Sequence, residues 1–491
     1  MSLQMSTQND SVLEKGYWEP VKLDSKPSPA TRAKKYLTDL PRPSFLSRSG
    51  AARRKTLRRT AYLDGLRGFA AFLVYWHHHQ LWARDSILAD VVFERGFGYE
   101  GKYYFAAFPG VRTFFSGGHY AVTVFFVISG YVLSTKPMSL IHAGDHLKLS
   151  ENLTSSMFRR WLRLFIPVIC TTWLYMTSWH AFGLWIAAAE QESNYGAELW
   201  KWYAEFKNFS FIYTGGGEPW LSYDLHVWSI PVEFRGSIVV YTSLLAFSRA
   251  TRNARLWCEV GLIVYFLYIT DGAHYALFCS GMLLCDLDLL AEKGNLPTFF
   301  KRLEPFKELI FYHLLVFSIY LGGVPSHNND VTEIRRVRGW YYLSFLKPQA
   351  VFDYKWFFLF WAATFMVAAI PRIPWLKRFF ETPFNLWLGK ISFALYLVHG
   401  PVIWTIGDRV YSAVGWSRDG HQEHIPHWMD LFPLSKGGPL GLDLAFWAAH
   451  LILLPLTLWC ASIVTKLFDE PAVKFAAWFY GKTLAPPPIK S

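Results

Sequence analysis

Charge is scarce in this 491-residue chain. Asp, Glu, Lys and Arg together make up 18%, against 52% hydrophobic residues and 18% aromatics. So little charge excludes an ordinary soluble surface and a disordered chain alike. Cysteine is scarce as well. Cys170, Cys258, Cys279, Cys285 and Cys460 lie in or beside apolar segments with no paired spacing, which excludes a disulfide framework and a cysteine zinc site. The first sixty residues contain no apolar core, so no cleavable signal peptide is expected. Heptads, solenoid periods and inverted repeats are all missing, and the last absence counts against a secondary transporter. The formal charge of +12 lies in the N-terminal tail and short loops, not on an amphipathic soluble element, which sets nucleic acid aside as a partner.

What the chain has in quantity is apolar length. Ten apolar segments stand out, at about 68–82, 120–134, 161–187, 227–247, 257–269, 273–290, 309–323, 356–370, 387–406 and 442–468. The expected fold is all-α: a polytopic integral membrane protein of about ten transmembrane helices with both termini cytosolic. Basic residues set that orientation. They cluster at Arg53, Arg54, Lys55, Arg58 and Arg59, in 135–160, at Arg249, Arg252 and Arg255, and at Arg372, Lys377 and Arg378. The opposite stretch 188–225 is rich in acids. Arg335, Arg336, Arg338 and Lys347 run against the rule. The expected organisation is a basic, disordered cytosolic tail over 1–60, a transmembrane domain over 61–470 and a short cytosolic tail over 471–491. The lipid bilayer is the first partner, in the endomembrane system (ER or Golgi) or at the plasma membrane. Asn208-Phe209-Ser210 falls on the glycosylation-competent side, and Asn152-Leu153-Thr154 on the other.

Titratable groups inside apolar helices are costly and mark reaction centres or ion paths. The first segment begins with Asp64 and Arg67 and ends in His77-His78-His79. Arg67 and His78 are eleven positions apart, which returns them to nearly one helical face about 16 Å apart. Consecutive histidines point about 100° apart, so the triple cannot chelate one ion, and no metal is expected. Arg160 and Arg163 share a face where two guanidinium forks could clamp a phosphate. Glu233 stands within an apolar run. Ser392 and His399 lie two turns apart on one face, and Ser129-Gly130 is a small pair that suits close packing. Anchoring, ion pairing and helix ending account for each of these residues taken singly.

Taken together, Leu63–His78, Phe125–Ser134, Arg159–Pro167, His226–Phe234 and Ile391–Pro401 carry a resemblance. The stretches LDGLRGFAAFLVYWHH, FFVISGYVLS, RRWLRLFIP, HVWSIPVEF and ISFALYLVHGP occur in the order seen in the acyltransferase 3 family of polytopic membrane acyltransferases. The resemblance implies transfer of an acyl group, commonly acetyl, from acyl-CoA to a hydroxyl of a small molecule or glycan, or sometimes to an amine. It implies Arg67 and His78 as the catalytic pair and Arg160 and Arg163 as the acyl-CoA-binding pair. Asp64, Glu233 and His399 match supporting positions. The long basic tail and tryptophan-rich loops suggest a fungal or other eukaryotic member. No cofactor is expected beyond acyl-CoA as cosubstrate. A proton-coupled transporter or flippase is the alternative from another class, with His78, Glu233 and His399 as relays.

Overall fold

A computed structural model describes residues 38, 40–41, 57–83, 105, 108–213, 219–325, 330–439 and 443–485, the Glu333 side chain excepted. The chain divides into two units, Met1–Arg42 and Pro43–Ser491, and the helical domain belongs to the second. The tail expected over 1–60, with Arg53, Arg54 and Lys55, lies almost wholly outside the described residues.

Among the described residues the fold is helical and contains no strand. Twelve helices carry it: α1 (Ala61–Ala83), α2 (Gly118–Ala143), α3 (His146–Phe182), α4 (Tyr195–Phe209), α5 (Ser229–Ala246), α6 (Arg252–Val264), α7 (Ala273–Glu292), α8 (Lys307–Gly322), α9 (Tyr354–Ala369), α10 (Pro383–Val402), α11 (Leu444–Val464) and α12 (Glu470–Thr483). Each of the ten apolar segments falls largely on one of these helices. Five helical stretches are long and apolar enough to cross a membrane by length and composition: 118–143, 273–292, 354–372, 383–413 and 444–483. π turns at Tyr265–Ile269, Ile403–Gly407 and Thr465–Asp469 carry α6, α10 and α11 onward.

Two stretches that read from the sequence as loops are partly helical. The basic stretch 135–160 is not a loop: α2 runs to Ala143, Gly144 closes it in the left-handed region (φ 71°), and α3 starts at His146 with Asp145 as N-cap. The acidic stretch 188–225 contains the amphipathic helix α4, capped by Asn194. The stretch from 471 continues as helix to Thr483, with Ala472 and Ala476 buried. In addition Arg255, expected as a loop cation, is buried and paired with Asp286, Nε to Oδ2 at 2.7 Å.

Two glycine contacts set the helix spacing. A Cβ on Gly68 would meet the Gly389 nitrogen at 2.3 Å, and one on Gly389 would meet the Asp64 oxygen at 2.1 Å, so α1 and α10 touch backbone to backbone. Likewise a Cβ on Gly130 would meet the Phe278 oxygen at 2.0 Å, and one on Gly281 the Val127 oxygen at 2.0 Å, which joins α2 to α7. The Ser129-Gly130 pair thus divides its labour. Gly130 packs, while Ser129 donates to Glu233.

Candidate active site

The α1–α10 contact decides the site. Gly68 meets Gly389, and each lies ten residues before a histidine of its own helix, His78 and His399. At 1.5 Å per residue, two helices in parallel register arrive at the same height about 15 Å further on. His78 Nδ1 accordingly lies 2.8 Å from His399 Nε2, with the ring planes only 19° apart. A third imidazole, His226, comes from the 3₁₀ turn Leu225–Trp228 that leads into α5. It stacks on His78 at 3.7 Å between centroids and faces His399 at 4.7 Å. Trp404, on the π turn after α10, covers the other side of His226 at 4.8 Å.

The three consecutive histidines point apart as helical geometry requires. His77 is buried against His119, and His79 is buried with its Nδ1 2.7 Å from the Tyr411 hydroxyl. Only His78 of the three retains partial exposure, and it is the one that meets His226 and His399. His78, His226 and His399 could in principle each offer one nitrogen to a metal ion, all within 4.8 Å of one another. The ring geometry does not suit that use. His78 and His226 are stacked 25° from parallel, so their in-plane lone pairs run side by side. The nearest pair of nitrogens is taken by the His78–His399 hydrogen bond.

Hydrogen bonding assigns the tautomers. His399 Nδ1 lies 3.2 Å from the Leu395 carbonyl, which can only accept, so Nδ1 carries the proton. In a neutral ring His399 Nε2 is then an acceptor, and His78 Nδ1–H donates to it. This leaves His78 Nε2 unprotonated and available as a base. Asp224 is buried beside the cluster. Its Oδ1 accepts from the His226 backbone N–H at 3.1 Å and lies 3.8 Å from His226 Nδ1.

A cleft of about 200 Å³ opens at the other end of α1. Arg67, Arg160, Arg163 and Lys390 line it against two carboxylates, Glu233 and Asp469. The four cations come from α1, α3 and α10. Arg67 Nη2 donates to the Gly389 carbonyl at 2.7 Å and lies 3.6 Å from Asp64, which also accepts from Arg58 at 2.7 Å. Glu233 accepts from Arg160 on α3 and from Ser129 on α2. Arg163 is exposed at the rim and makes no ion pair or hydrogen bond among the described residues. Ser392 also lines the cleft, its hydroxyl bonded to the Gly389 carbonyl.

Tyr396 joins the two regions. It lines the cleft, its ring stands 5.8 Å from His399, and its hydroxyl donates to the His226 carbonyl. Ser229, 2.7 Å from that hydroxyl, completes the partition. Every site residue expected from the sequence therefore lands in one of two connected places: His78 and His399 in the histidine cluster, and Arg67, Asp64, Arg160, Arg163 and Glu233 in or beside the cleft. His226, Asp224 and Tyr396 were not expected from the sequence. His226 sits in the HVWSIPVEF stretch, but no helical spacing ties a residue of a 3₁₀ turn to His78.

Comparison with known proteins identifies the family. The acyltransferase domain family matches residues 60–466. The chain belongs to the acyltransferase 3 family. It is similar to the O-acetyltransferase PaAT-1 of Phomopsis amygdali, with 30% identity covering 77% of this chain and 79% of that protein. It also resembles acyltransferase clz18 of Cochliobolus lunatus (22% identity, 84% of this chain and 94% of the relative) and acyltransferase R4 of Phoma sp. (22%, 74% and 86%). These relatives are fungal, consistent with a fungal member. No solved structure matches the chain. The protein is thus an acyltransferase with membrane-spanning helices.

Proposed function

We propose that the protein moves an acetyl group from acetyl-CoA to a hydroxyl of a small-molecule acceptor within a ten-span membrane domain whose two termini face the cytosol. The observation that carries this reading is the in-register pair His78–His399 at one end of α1, with a cation-rich cleft at the other end. The cleft supplies what a phosphate-bearing donor needs. Arg163 offers an uncommitted guanidinium fork, Arg160 is held in place by Glu233, and Arg67 stands at the inner wall. The donor's arm passes Tyr396 and Ser229 and brings the thioester carbonyl to His78.

His78 Nε2 takes the acceptor's hydroxyl proton as the oxygen attacks that carbonyl. The C–S bond then breaks, and the thiolate of coenzyme A leaves and recovers a proton. The imidazolium formed on His78 is supported by His399 through the Nδ1 hydrogen bond, and His226, which stacks on His78, has Asp224 Oδ1 3.8 Å from its own Nδ1. A route through an acyl group on His78 Nε2 uses the same residues and lets donor and acceptor enter in turn. The name of the Phomopsis amygdali relative favours an O-linked acetyl product. The enclosed setting of the histidine cluster suits a small acceptor better than a glycan. Localisation to the endomembrane system or plasma membrane, and glycosylation at the exposed Asn208, complete the reading.

The test is thioester consumption by the purified protein in detergent micelles with acetyl-CoA and an acceptor taken from metabolites lost on gene deletion. Acceptor-dependent release of free coenzyme A, abolished in His78→Ala, is the expected result. Acceptor accumulation in proteoliposomes without any acyl-CoA would instead establish the transporter reading.

A further inference from the structure

Beside the His78–His399 pair lie four buried polar atoms with no hydrogen-bond partner among the described residues: Asp224 Oδ2, His226 Nδ1, the Tyr175 hydroxyl and Trp179 Nε1. Asp224 and His226 belong to the turn before α5, and Tyr175 and Trp179 lie four residues apart on α3. The four groups are neighbours. Asp224 Oδ1 is 3.8 Å from His226 Nδ1, and the Tyr175 and Trp179 rings are 5.0 Å apart. Tyr175 stands 6.3 Å from Trp404, the ring that covers His226, and its hydroxyl lies in the field of the Asp224 carboxylate. Access comes from His78 and His226, which keep partial exposure, whereas Asp224 is only 1% exposed.

Buried polar atoms are costly unless something pairs with them. The nearby charged groups do not. Arg409 donates to the Thr405 and Trp185 carbonyls at 2.9 and 3.2 Å. Asp408 accepts from Trp82 and lies 3.1 Å from His421 Nε2. Asp224 Oδ1 is taken by the His226 backbone N–H, which leaves Oδ2. The open atoms also differ in kind. A carboxylate oxygen can only accept, whereas a phenol has a proton to donate. The Trp179 N–H can serve the Tyr175 oxygen but not its proton. A hydroxyl between Asp224 and Tyr175 donates to the first and accepts from the second. An ammonium could not accept the Tyr175 proton, and a carboxylate would face Asp224 with like charge.

We propose that Asp224 and Tyr175 form an acceptor subsite for a second hydroxyl, so that the acceptor is a polyhydroxylated small molecule: one hydroxyl reacts at His78 Nε2 and another is held between Asp224 and Tyr175. This rests on the transferase reading of His78. His226 stacks on His78 at 3.7 Å, so a single imidazole separates the subsite from the base. The rings of Trp404 and Tyr175 give the acceptor's carbon skeleton an aromatic wall. Asp224 and Tyr175 thus determine specificity and take no part in the proton transfer.

Saturation-transfer NMR on the full-length protein in detergent micelles tests the subsite without turnover. The probes are neopentyl glycol and neopentyl alcohol, which differ by one hydroxyl. The glycol is expected to bind about tenfold or more tightly, and Tyr175→Phe should remove that advantage. The variant loses only an unpaired buried hydroxyl and should keep the wild-type melting temperature. If it misfolds, Asp224→Asn, which keeps an oxygen for the His226 backbone N–H, takes its place. Equal binding of the two probes, the mark of a pocket that holds solvent only, overturns the proposal, and so does a glycol advantage that survives in the variant. Coenzyme A release with the metabolite acceptor judges the transferase reading separately. Release with equal probe binding sinks the subsite alone, and a Tyr175-dependent glycol advantage without release upholds the polyol site and sinks the reading. Where release occurs, Tyr175→Phe should raise the acceptor KM about tenfold with the donor KM unchanged; a fall in kcat at unchanged acceptor KM would count against the subsite.

Discussion

The cation-lined cleft and the histidine cluster stand at opposite ends of one face of α1, and they are built on opposite principles. The cleft is open and ionic. Its cations come from three helices, its two carboxylates leave an excess of positive charge, and one guanidinium stands exposed at the rim. The cluster is enclosed and aromatic: three imidazoles and a tryptophan in ring contact, with the His78 and His399 protons placed by hydrogen bonds. Charge near solvent recognises a polyanion at modest desolvation cost, whereas a base must be kept from water and held in one tautomer. The two tasks would interfere at close range, because a guanidinium beside His78 would disfavour its imidazolium. Eleven residues of helix keep them about 16 Å apart.

Substitutions can break that comparison. The largest effect is expected at His78. Replacement by Ala should lower turnover by about a thousandfold or more, measured as free coenzyme A released by protein that still elutes as a folded species. Next comes His399. Leu at that position should cost about 10- to 100-fold in kcat with the donor KM unchanged, since it removes only the acceptor that fixes His78. Gln, whose side-chain oxygen can accept from His78 Nδ1–H, should recover part of that loss; equal activity of the Leu and Gln variants would contradict the tautomer assignment. The cleft should respond in the opposite sense. Arg163→Ala is expected to raise the donor KM by about tenfold or more with little change in kcat, because one charged hydrogen-bonding partner is lost from binding. A fall in kcat with an unchanged KM would move Arg163 out of donor recognition. The smallest effect is expected at Gly68→Ala. The new methyl meets the α10 backbone and should cost about 1–3 kcal/mol, read as a lower melting temperature, with a further loss of kcat as His78 and His399 slip out of register.

Much of the site was legible because it lies along single helices. Arg67 and His78 share a face by spacing, and so do Arg160 and Arg163. The isolated Glu233 announced itself as a carboxylate in an apolar run. Helical angle also separated His77 and His79 from His78. Illegible were the residues brought in by turns. His226 and Asp224 stand on either side of a 3₁₀ start, and Trp404 lies on a π turn, where the 3.6-residue period fails. The apparent loop 135–160 misled for a related reason. Its polar and basic residues belong to parts of α2 and α3 that have one face buried (Met138, Leu149, Leu153), so polarity did not mean irregular structure.

The amino-acid sequence by itself determined the helical class, the apolar segments and the spacing of acid, arginine and histidine along α1, because these depend on composition and on the period of one helix. Which histidine answers His78 and which carboxylate holds Arg160 were decided only by tertiary structure. They depend on how helices distant in sequence meet. The Gly68–Gly389 contact is the physical reason for the first of these: without side chains to hold α1 and α10 apart, two histidines 321 residues apart in the chain come within one hydrogen bond.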